Sequence, residues 1–197
     1  MFTSVILGAG KSTRMKANKS KLLFNIAGKP VINHILSSLK AAKAKHNICV
    51  INNSSAELKK ILQAEKISFA YQKILDGTAG AVKAALKSKK NSNSKILILC
   101  GDVPFITSSS IKKLVAKLKN HDAVVGTVEL ESPKGYGRIV RVNNKFSSIV
   151  EEKETTPDER QIREVNTGII AIQENVLRKY ISLIKNNNQK KEYYLTD

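Results

Sequence analysis

The first segment of this chain that could do chemistry is the glycine-rich turn Leu7-Gly-Ala-Gly-Lys-Ser-Thr-Arg-Met15, which follows an apolar run. Glycines let backbone N–H groups come close to phosphate oxygens, and Arg14 and Lys21 add positive charge from opposite ends of the same loop. These features favour binding of a triphosphate. Taken alone, the motif also fits an ordinary strand-to-helix turn with solvated lysines.

Two familiar phosphate motifs do not match this turn. A Walker A loop would need a glycine at position 5, which is Val5. The dinucleotide fingerprint would need a glycine at position 13, which is Thr13. The turn therefore argues against both a P-loop enzyme and a dehydrogenase.

The second candidate is Asp102, which follows the apolar run Ile96–Cys100 and precedes Pro104. A carboxylate at the end of a strand can hold a hard cation, and Asp is a usual ligand for Mg²⁺ on a nucleotide. The alternative is that Asp102 caps a turn before the proline. A phosphate loop after the first strand favours the metal interpretation.

An alternation of strands and helices must position these residues. Apolar periodicity predicts strands at Thr3–Leu7, Asn47–Ile51, Ser68–Tyr71, Lys95–Cys100 and Ala123–Val128, and helices at Val31–Ala44, Ala56–Ala64, Ala79–Lys87 and Ser109–Lys119, the last capped by its serines. Such βα alternation predicts an α/β, mostly parallel sheet with helices on both faces and ligands at the carboxyl ends of the strands.

From Gly135 onward the pattern changes to a small antiparallel insertion. Two predicted strands, Arg138–Val142 and Phe146–Glu151, flank the turn Asn143-Asn-Lys145. After a polar loop at 152–163, a strand at Val165–Ile172 and a helix at Glu174–Ile184 are expected. Residues 186–191 are a low-complexity tail, expected to be a mobile loop.

Composition limits the function classes. The 197 residues suit about one domain at roughly 150 residues per domain, and no apolar run approaches the ~20 residues of a membrane span. The two cysteines have no C-x-x-C partner, so we expect a reducing cytoplasm. The net charge of +18 comes from 28 Lys and six Arg spread along a chain with 5% aromatics, which is not the pattern of a specific nucleic-acid platform. The oligomeric state stays open.

Eight short blocks along nearly the whole chain resemble the uridylyltransferase domain of bacterial N-acetylglucosamine-1-phosphate uridylyltransferases, in family order. They are residues 7–15 with Lys21, Ala27-Gly-Lys-Pro30, Gln72 with Asp76-Gly-Thr-Ala79, Gly101-Asp-Val-Pro104, Gly135-Tyr-Gly-Arg-Ile139, Val150-Glu-Glu-Lys153, Asn166-Thr-Gly168 and Glu192-Tyr-Tyr-Leu-Thr-Asp197.

The resemblance implies a Rossmann-like nucleotide-diphospho-sugar transferase fold in a single domain, 1–197. It also implies transfer of uridylyl from UTP to N-acetylglucosamine 1-phosphate, with Mg²⁺ as cofactor. By matching position, the backbone of Leu7, Gly8, Ala9 and Gly10 would hold the nucleotide, and Arg14 and Lys21 would face the triphosphate. Uracil would be read by Gln72, Gly77 and Thr78, Mg²⁺ would be bound by Asp102, and the sugar by Gly137, Glu151 and Asn166.

The chain also departs from the family pattern. Ser12, Ser20, Gly80 and Cys100 stand where the family usually has glycine, proline, histidine and tyrosine. A second magnesium ligand, a downstream asparagine, would lie beyond Asp197, and the β-helix acetyltransferase half is not expected within these residues. Two alternatives stay open: a related enzyme such as a molybdenum-cofactor guanylyltransferase, and a nucleotide-sugar-binding remnant with weak turnover.

Overall fold

The computed structural model describes residues 1–10, 19–52 and 56–197. Strands are β1 (Phe2–Leu7), β2 (Asn25–Ile26), β3 (Lys29–Pro30), β4 (His46–Ile51), β5 (Ser68–Tyr71), β6 (Lys95–Cys100), β7 (Ala123–Glu129), β8 (Arg138–Val142), β9 (Lys145–Val150) and β10 (Glu164–Gln173). Helices are α1 (Val31–Ala41), α2 (Ala56–Ala64), α3 (Thr78–Lys87), α4 (Ser108–Lys117) and α5 (Glu174–Tyr180), with 3-10 turns at Lys21–Leu23 and Glu159–Gln161.

Eight strands form one sheet in the order β5-β4-β1-β6-β10-β8-β9, with β7 also paired to β10. Strands β5, β4, β1 and β6 are parallel, as the βα alternation predicts. Strand β10 then runs antiparallel to β6, β7 and β8, and β8 runs antiparallel to β9. The predicted antiparallel strands therefore extend the same sheet from β6.

Two apolar cores lie on opposite faces of this sheet. Because successive side chains of a strand point to opposite faces, Ile6 packs in one core and Val5 in the other. The first core includes side chains of α1, α2 and α4, and the second includes those of α3 and α5. The predicted placement of helices on both faces is confirmed.

The helix ends are the main local differences from the sequence prediction. Helix α1 ends at Ala41 rather than Ala44, because Lys43 adopts a left-handed backbone with φ of 62° and the Ala44 N–H bonds back to Leu39 O at 3.0 Å. Helix α5 ends at Tyr180, after which the chain forms turns.

The N-terminus of α4 and the polar tail also differ from prediction. The cap of α4 is Thr107, whose hydroxyl accepts the Ser110 N–H at 3.1 Å, rather than the serines themselves. The tail is not isolated from the rest of the molecule, since the Gln189 backbone N–H donates to the Glu154 carboxylate at 3.0 Å and its side-chain amide to Lys153 O at 2.9 Å.

The chain forms two hairpins, one at the edge of the large sheet and one outside it. The predicted turn between β8 and β9 consists of Asn143 and Asn144, both left-handed with φ of 50° and 61°, which is the geometry of a two-residue hairpin. The hairpin β2–β3 was not predicted; it turns through Ala27 and Gly28 at φ of 49° and 78°. Across the described residues, no helix combines the length and apolarity needed to span a bilayer.

Candidate active site

A cleft of about 770 Å³ opens at the carboxyl ends of the parallel strands. Its lining comes from the turns after β1, β5, β6 and β9 and from the C-terminal residues: Leu7, Ala9, Gly10, Lys21, Gln72, Leu75, Gly77, Thr78, Ala81, Cys100, Gly135, Glu151, Glu152, Lys153, Lys190, Glu192 and Tyr194. The structure thus brings together eight of the residues singled out from sequence.

The turn after β1 presents Leu7, Ala9 and Gly10 to this cleft. Gly8 instead continues the sheet, because its N–H donates to Val50 O at 2.9 Å. Arg14 belongs to residues 11–18, which lie outside the described part of the chain. The structure therefore describes the proposed phosphate loop through Gly10, and three residues of this part line the cleft.

Lys21 and Asp102 meet at the edge of the cleft. The Lys21 ammonium donates to an Asp102 carboxylate oxygen at 2.7 Å, although the two residues are 81 positions apart. Buried Leu22 sets the position of the lysine, because it packs against both Gly8 and Gly101, where any Cβ would collide with its side chain. A cation and an anion, each assigned to a ligand by sequence, are thus neighbours in the structure.

The turn between β5 and α3 forms the part of the cleft that we call the base side, after the uracil-reading role that the resemblance implies for Gln72, Gly77 and Thr78. The Gln72 side-chain NH₂ donates to Asp76 Oδ1 and to Gly77 O, both at 3.0 Å. Since both amide protons are engaged, the carbonyl oxygen is the group that Gln72 can present to a base. Gly77 has φ of 113°, a conformation that strongly favours glycine.

Residues 192–197, which we call the C-terminal strap, cross this base side. The Tyr193 N–H donates to Asp76 O at 2.6 Å, and Tyr193 O accepts the Ala79 N–H at 2.9 Å. The Leu195 N–H donates to the Thr78 hydroxyl oxygen at 2.8 Å, so that this hydroxyl can direct its own proton elsewhere. The strap thereby satisfies an N–H at the start of α3 and fixes Thr78.

We call the part of the cleft around Glu151 the sugar side, after the role that the resemblance implies for Gly137, Glu151 and Asn166. Glu151 lines the cleft, whereas Gly137 and Asn166 are not among its lining residues. The Asn166 N–H donates to Gly137 O at 2.8 Å, and a Cβ at Gly137 would lie 3.6 Å from Glu151 Oε1. Asn166 Oδ1 accepts the Gly168 N–H at 3.0 Å, which leaves its amide NH₂ as the group to face a ligand. A β-bulge in β10 between Asn166 and Ile170 places this asparagine at the strand's bend.

The strap also reaches the sugar side, where the Thr196 hydroxyl donates to Glu151 Oε1 at 3.0 Å. Burial, followed by the charges of Glu192 and Glu151, raises the pKa of Tyr194 to about 12. Burial, followed by the charge of Asp102, raises the pKa of Cys100 to about 11. Both groups stay protonated at neutral pH, so neither is an activated nucleophile.

Asp102 is the carboxylate for which the sequence predicts a cation, and in the structure it pairs with Lys21 at the cleft edge. Among the residues that the structure describes, no three His, Cys, Asp or Glu side chains are grouped to hold a metal ion. Mg²⁺ on a nucleotide commonly uses one or two carboxylates together with phosphates and water. The Asp102 side chain, 55% exposed, fits that kind of ion rather than an all-protein metal site.

The family of the chain follows from its sequence as well as from this cleft. Residues 4–161 match the family model of the MobA-like NTP transferase domain. The chain belongs to this family. Its sheet is therefore that of a MobA-like NTP transferase.

Relatives and solved structures agree with that assignment. This MobA-like NTP transferase chain is 42% identical over 196 residues to the bifunctional protein GlmU of Francisella tularensis subsp. novicida and of subsp. tularensis. The alignment covers 98% of this chain but 42% of each relative, so the chain spans less than half of their length.

Two solved nucleotidyltransferases share the fold. A Bacillus anthracis protein assigned as a glucose-1-phosphate thymidylyltransferase, solved with sucrose, superposes with a TM-score of 0.77 at 21% identity, covering 98% of this chain and 78% of its own. A UDP-glucose pyrophosphorylase complexed with UDP-glucose gives 0.75 at 17% identity, covering 100% and 84%. The predicted Rossmann-like nucleotidyltransferase fold is confirmed.

Sequence reasoning did not predict the contacts of the strap, nor that Lys153 and Lys190 line the cleft of this MobA-like transferase. The block Glu192–Asp197 was the available signal, but nothing local in it indicates contact with residues 76–79. The departure at Gly80 has a structural counterpart, because the Asp76 carboxylate lies where a side chain at position 80 would begin.

Proposed function

We propose that this chain transfers uridylyl from UTP to N-acetylglucosamine 1-phosphate, giving UDP-N-acetylglucosamine and pyrophosphate. The observation that carries the proposal is the single cleft in which Gln72 and Thr78 lie on one side and Glu151 on the other, with Lys21 at its edge. The eight-block resemblance and the 42% identity to the Francisella GlmU proteins support the same reaction.

The reaction needs little acid–base chemistry from the protein. The sugar phosphate is an anionic nucleophile at neutral pH, so it attacks the α-phosphate in line while pyrophosphate leaves. The chain must therefore orient two substrates and stabilise developing negative charge. We assign orientation to the two sides of the cleft and charge stabilisation to Arg14 and Lys21.

Lys21 would change partners when substrate binds. In the structure its ammonium is held by Asp102 at 2.7 Å, at the margin of the cleft. A triphosphate offers it stronger acceptors, and Asp102 is then available to hold Mg²⁺. When bound, Mg²⁺ supplies charge neutralisation on the phosphates. The Leu22 anchor keeps the lysine within reach of both positions.

The base side favours a base with an imino N–H. The Gln72 carbonyl oxygen can accept that N–H, and the Thr78 hydroxyl can donate to a base carbonyl. Uracil offers both groups, whereas cytosine has an acceptor at the imino position. Guanine also carries an imino N–H, so UTP against GTP is the decisive comparison.

On the sugar side we propose that Gly137, Glu151 and Asn166 bind the hydroxyl and N-acetyl groups. The Glu151 carboxylate accepts from hydroxyls, the Asn166 NH₂ donates, and the absent side chain at 137 leaves room for the ring.

We also propose that residues 1–197 form a single nucleotidyltransferase domain that works in the cytoplasm. Cys49 and Cys100 are both free in the structure, and they would stay reduced in that compartment.

The test is pyrophosphate release by the purified chain with each of the four NTPs and a panel of sugar 1-phosphates, with and without Mg²⁺. We expect the highest rate with UTP and N-acetylglucosamine 1-phosphate. Equal rates with GTP would favour a guanylyltransferase. Binding of UDP-N-acetylglucosamine without release from any pair would favour a binding remnant.

A further inference from the structure

Arg138, at the start of β8, lies where three antiparallel strands meet. It is paired with Val150 of β9 and with Val165 of β10 in the sheet register. The proposed sugar-binding residues, Gly137, Glu151 and Asn166, each lie one position from this row. Glu151 lines the cleft, whereas Arg138 is not among the residues that line it.

The Arg138 side chain is almost wholly buried, with 2% exposed. Its guanidinium donates to Tyr136 O and to Arg160 O, the second at 3.4 Å, and forms an ion pair with a Glu152 carboxylate oxygen at 2.8 Å. These partners belong to the two segments that carry Gly137 and Glu151 and to the 3-10 turn behind them. One cation therefore links the segment that carries Gly137, through the Tyr136 carbonyl, to the segment that carries Glu151, through the Glu152 carboxylate.

We propose that Arg138 is a positioning residue for the sugar, which holds Gly137 and Glu151 in the arrangement that binds the sugar ring while touching no substrate itself. The inference rests on the proposed function. The planar guanidinium can bond several acceptors at once in fixed directions, which a lysine ammonium on a flexible stem cannot do.

The Glu152 partner is suited to the same task. Burial by itself would raise the pKa of Glu152, but the Gly135 N–H and the Arg138 guanidinium lower it. The carboxylate thus stays ionised and keeps the buried arginine compensated. Thr155 adds a second tie, since its hydroxyl donates to Glu152 O at 2.8 Å and accepts from Arg160 Nε at 3.3 Å.

The test compares how tightly UDP and UDP-N-acetylglucosamine bind, measured by calorimetry in wild type, R138M and R138K. The ratio of the two dissociation constants isolates the contribution of the sugar. We expect R138M to reduce that ratio about tenfold, less than the ~100-fold that a 1 Å misplacement can cost in rate. UDP affinity should change less than twofold. R138K should recover part of the ratio.

Arg141 offers a matched control on the same strand. It pairs with Glu164 through two hydrogen bonds at 2.8 and 2.9 Å, but its side chain is 43% exposed and does not line the cleft. R141M should leave the ratio unchanged.

An R138M ratio equal to that of wild type, or equal losses for both ligands, would overturn the inference and leave the proposed function intact. If R138M does not fold, R138K decides in the same way, because it keeps the charge and loses the fixed directions of the guanidinium; we expect a loss of about threefold. A wild-type chain that binds both ligands equally would overturn the sugar site and the inference together.

Discussion

The two sides of the cleft are held by different kinds of contact. On the base side, main-chain groups of the C-terminal strap bond the turn before α3, and Gly77 allows the two backbones to touch. On the sugar side, one main-chain bond joins Asn166 to Gly137, and the other contacts are made by side chains: the Arg138 guanidinium, the Glu152 carboxylate and the Thr196 hydroxyl. The base side should therefore depend on backbone geometry, and the sugar side on side-chain identity.

This difference follows from the two halves of the sheet. In the parallel half, strand ends and a helix N-terminus present backbone groups at one edge, where a crossing segment can bond them. In the antiparallel half, strands β8, β9 and β10 continue the hydrogen-bonded ladder beside the cleft, and side chains together with a bulge in β10 shape the cleft there. Substitutions should separate the two.

The largest effects are expected between the two sides of the cleft, at Lys21 and Asp102. Lys21→Ala should lower turnover ~100-fold or more because it removes a charge that stabilises the leaving pyrophosphate.

Asp102→Asn should abolish the response to Mg²⁺, since an amide is a poorer ligand for a hard cation. Steady-state rates across a magnesium titration measure both. Lys40→Ala, on the exposed surface of α1, is the control. Turnover at the wild-type rate in K21A, or an unchanged magnesium response in D102N, would contradict the role proposed for that residue.

On the base side, the largest loss of UTP affinity is expected from Gly77→Ala. A Cβ there would collide with the Tyr193 backbone, and φ of 113° is strained for alanine. We expect UTP to bind about tenfold more weakly and the free energy of unfolding to fall by about 1–3 kcal/mol. Gly28→Ala is the matched control, because φ there is 78° but nothing lies within 4 Å. If the two variants lose UTP affinity equally, the strap contact is not the cause.

A milder change should affect the sugar side alone. Thr196→Val removes the hydroxyl that donates to Glu151, so the KM for the sugar phosphate should rise about threefold, while the KM for UTP should be unchanged. Thr107→Val provides the comparison, because its exposed hydroxyl caps α4 and does not line the cleft. A parallel rise in both KM values would mean that the strap acts on the cleft as a whole.

The smallest effect on binding should come from Glu174, away from both sides. Burial alone would raise its pKa, but hydrogen bonds from Lys89, Ser94 and Arg178 lower it from 4.5 to about 2. The unfolded chain therefore takes up this proton first, and the stability that Glu174 contributes is lost as pH falls from about 4.5 to 2.

Glu174→Gln should accordingly lower the melting temperature at pH 7 while both KM values stay constant. The difference from wild type should narrow toward pH 3 in a series of thermal melts. Glu57→Gln, on the exposed surface of α2, is the control. A difference that does not depend on pH would place the stabilisation in packing rather than in charge.

Local patterns explain what could be predicted. Strands β5 and β6 and helix α2 match their predicted bounds because β-branched runs and apolar periodicity are properties of neighbouring residues. The hairpin β2–β3 has two-residue strands, too short to show a period, and its turn uses Ala27 in a left-handed conformation that alanine seldom adopts.

The site was predictable as a set of residue types but not as a set of contacts. The rule that ligands lie at the carboxyl ends of strands placed Lys21 and Asp102 in one region, yet not in one ion pair. The contacts of Tyr193 and Arg138 depend on register between strands and segments far apart in sequence. No local propensity encodes these contacts, so they appear once the fold is known.

The hydrogen bond between Thr78 and Leu195 joins positions 117 residues apart. During synthesis the parallel strands can pair before this contact is possible, because the strap leaves the ribosome long after α3. Contacts of such long range also carry the largest loop-closure cost and tend to form late in folding. The Ala79 amide should therefore gain protection from hydrogen exchange after the β4–β5 amides, which pair residues close in sequence such as Ile48 and Ser68, in a refolding experiment. In kinetic terms, the proposed nucleotide site is completed by a segment that is synthesised long after the strands beside it.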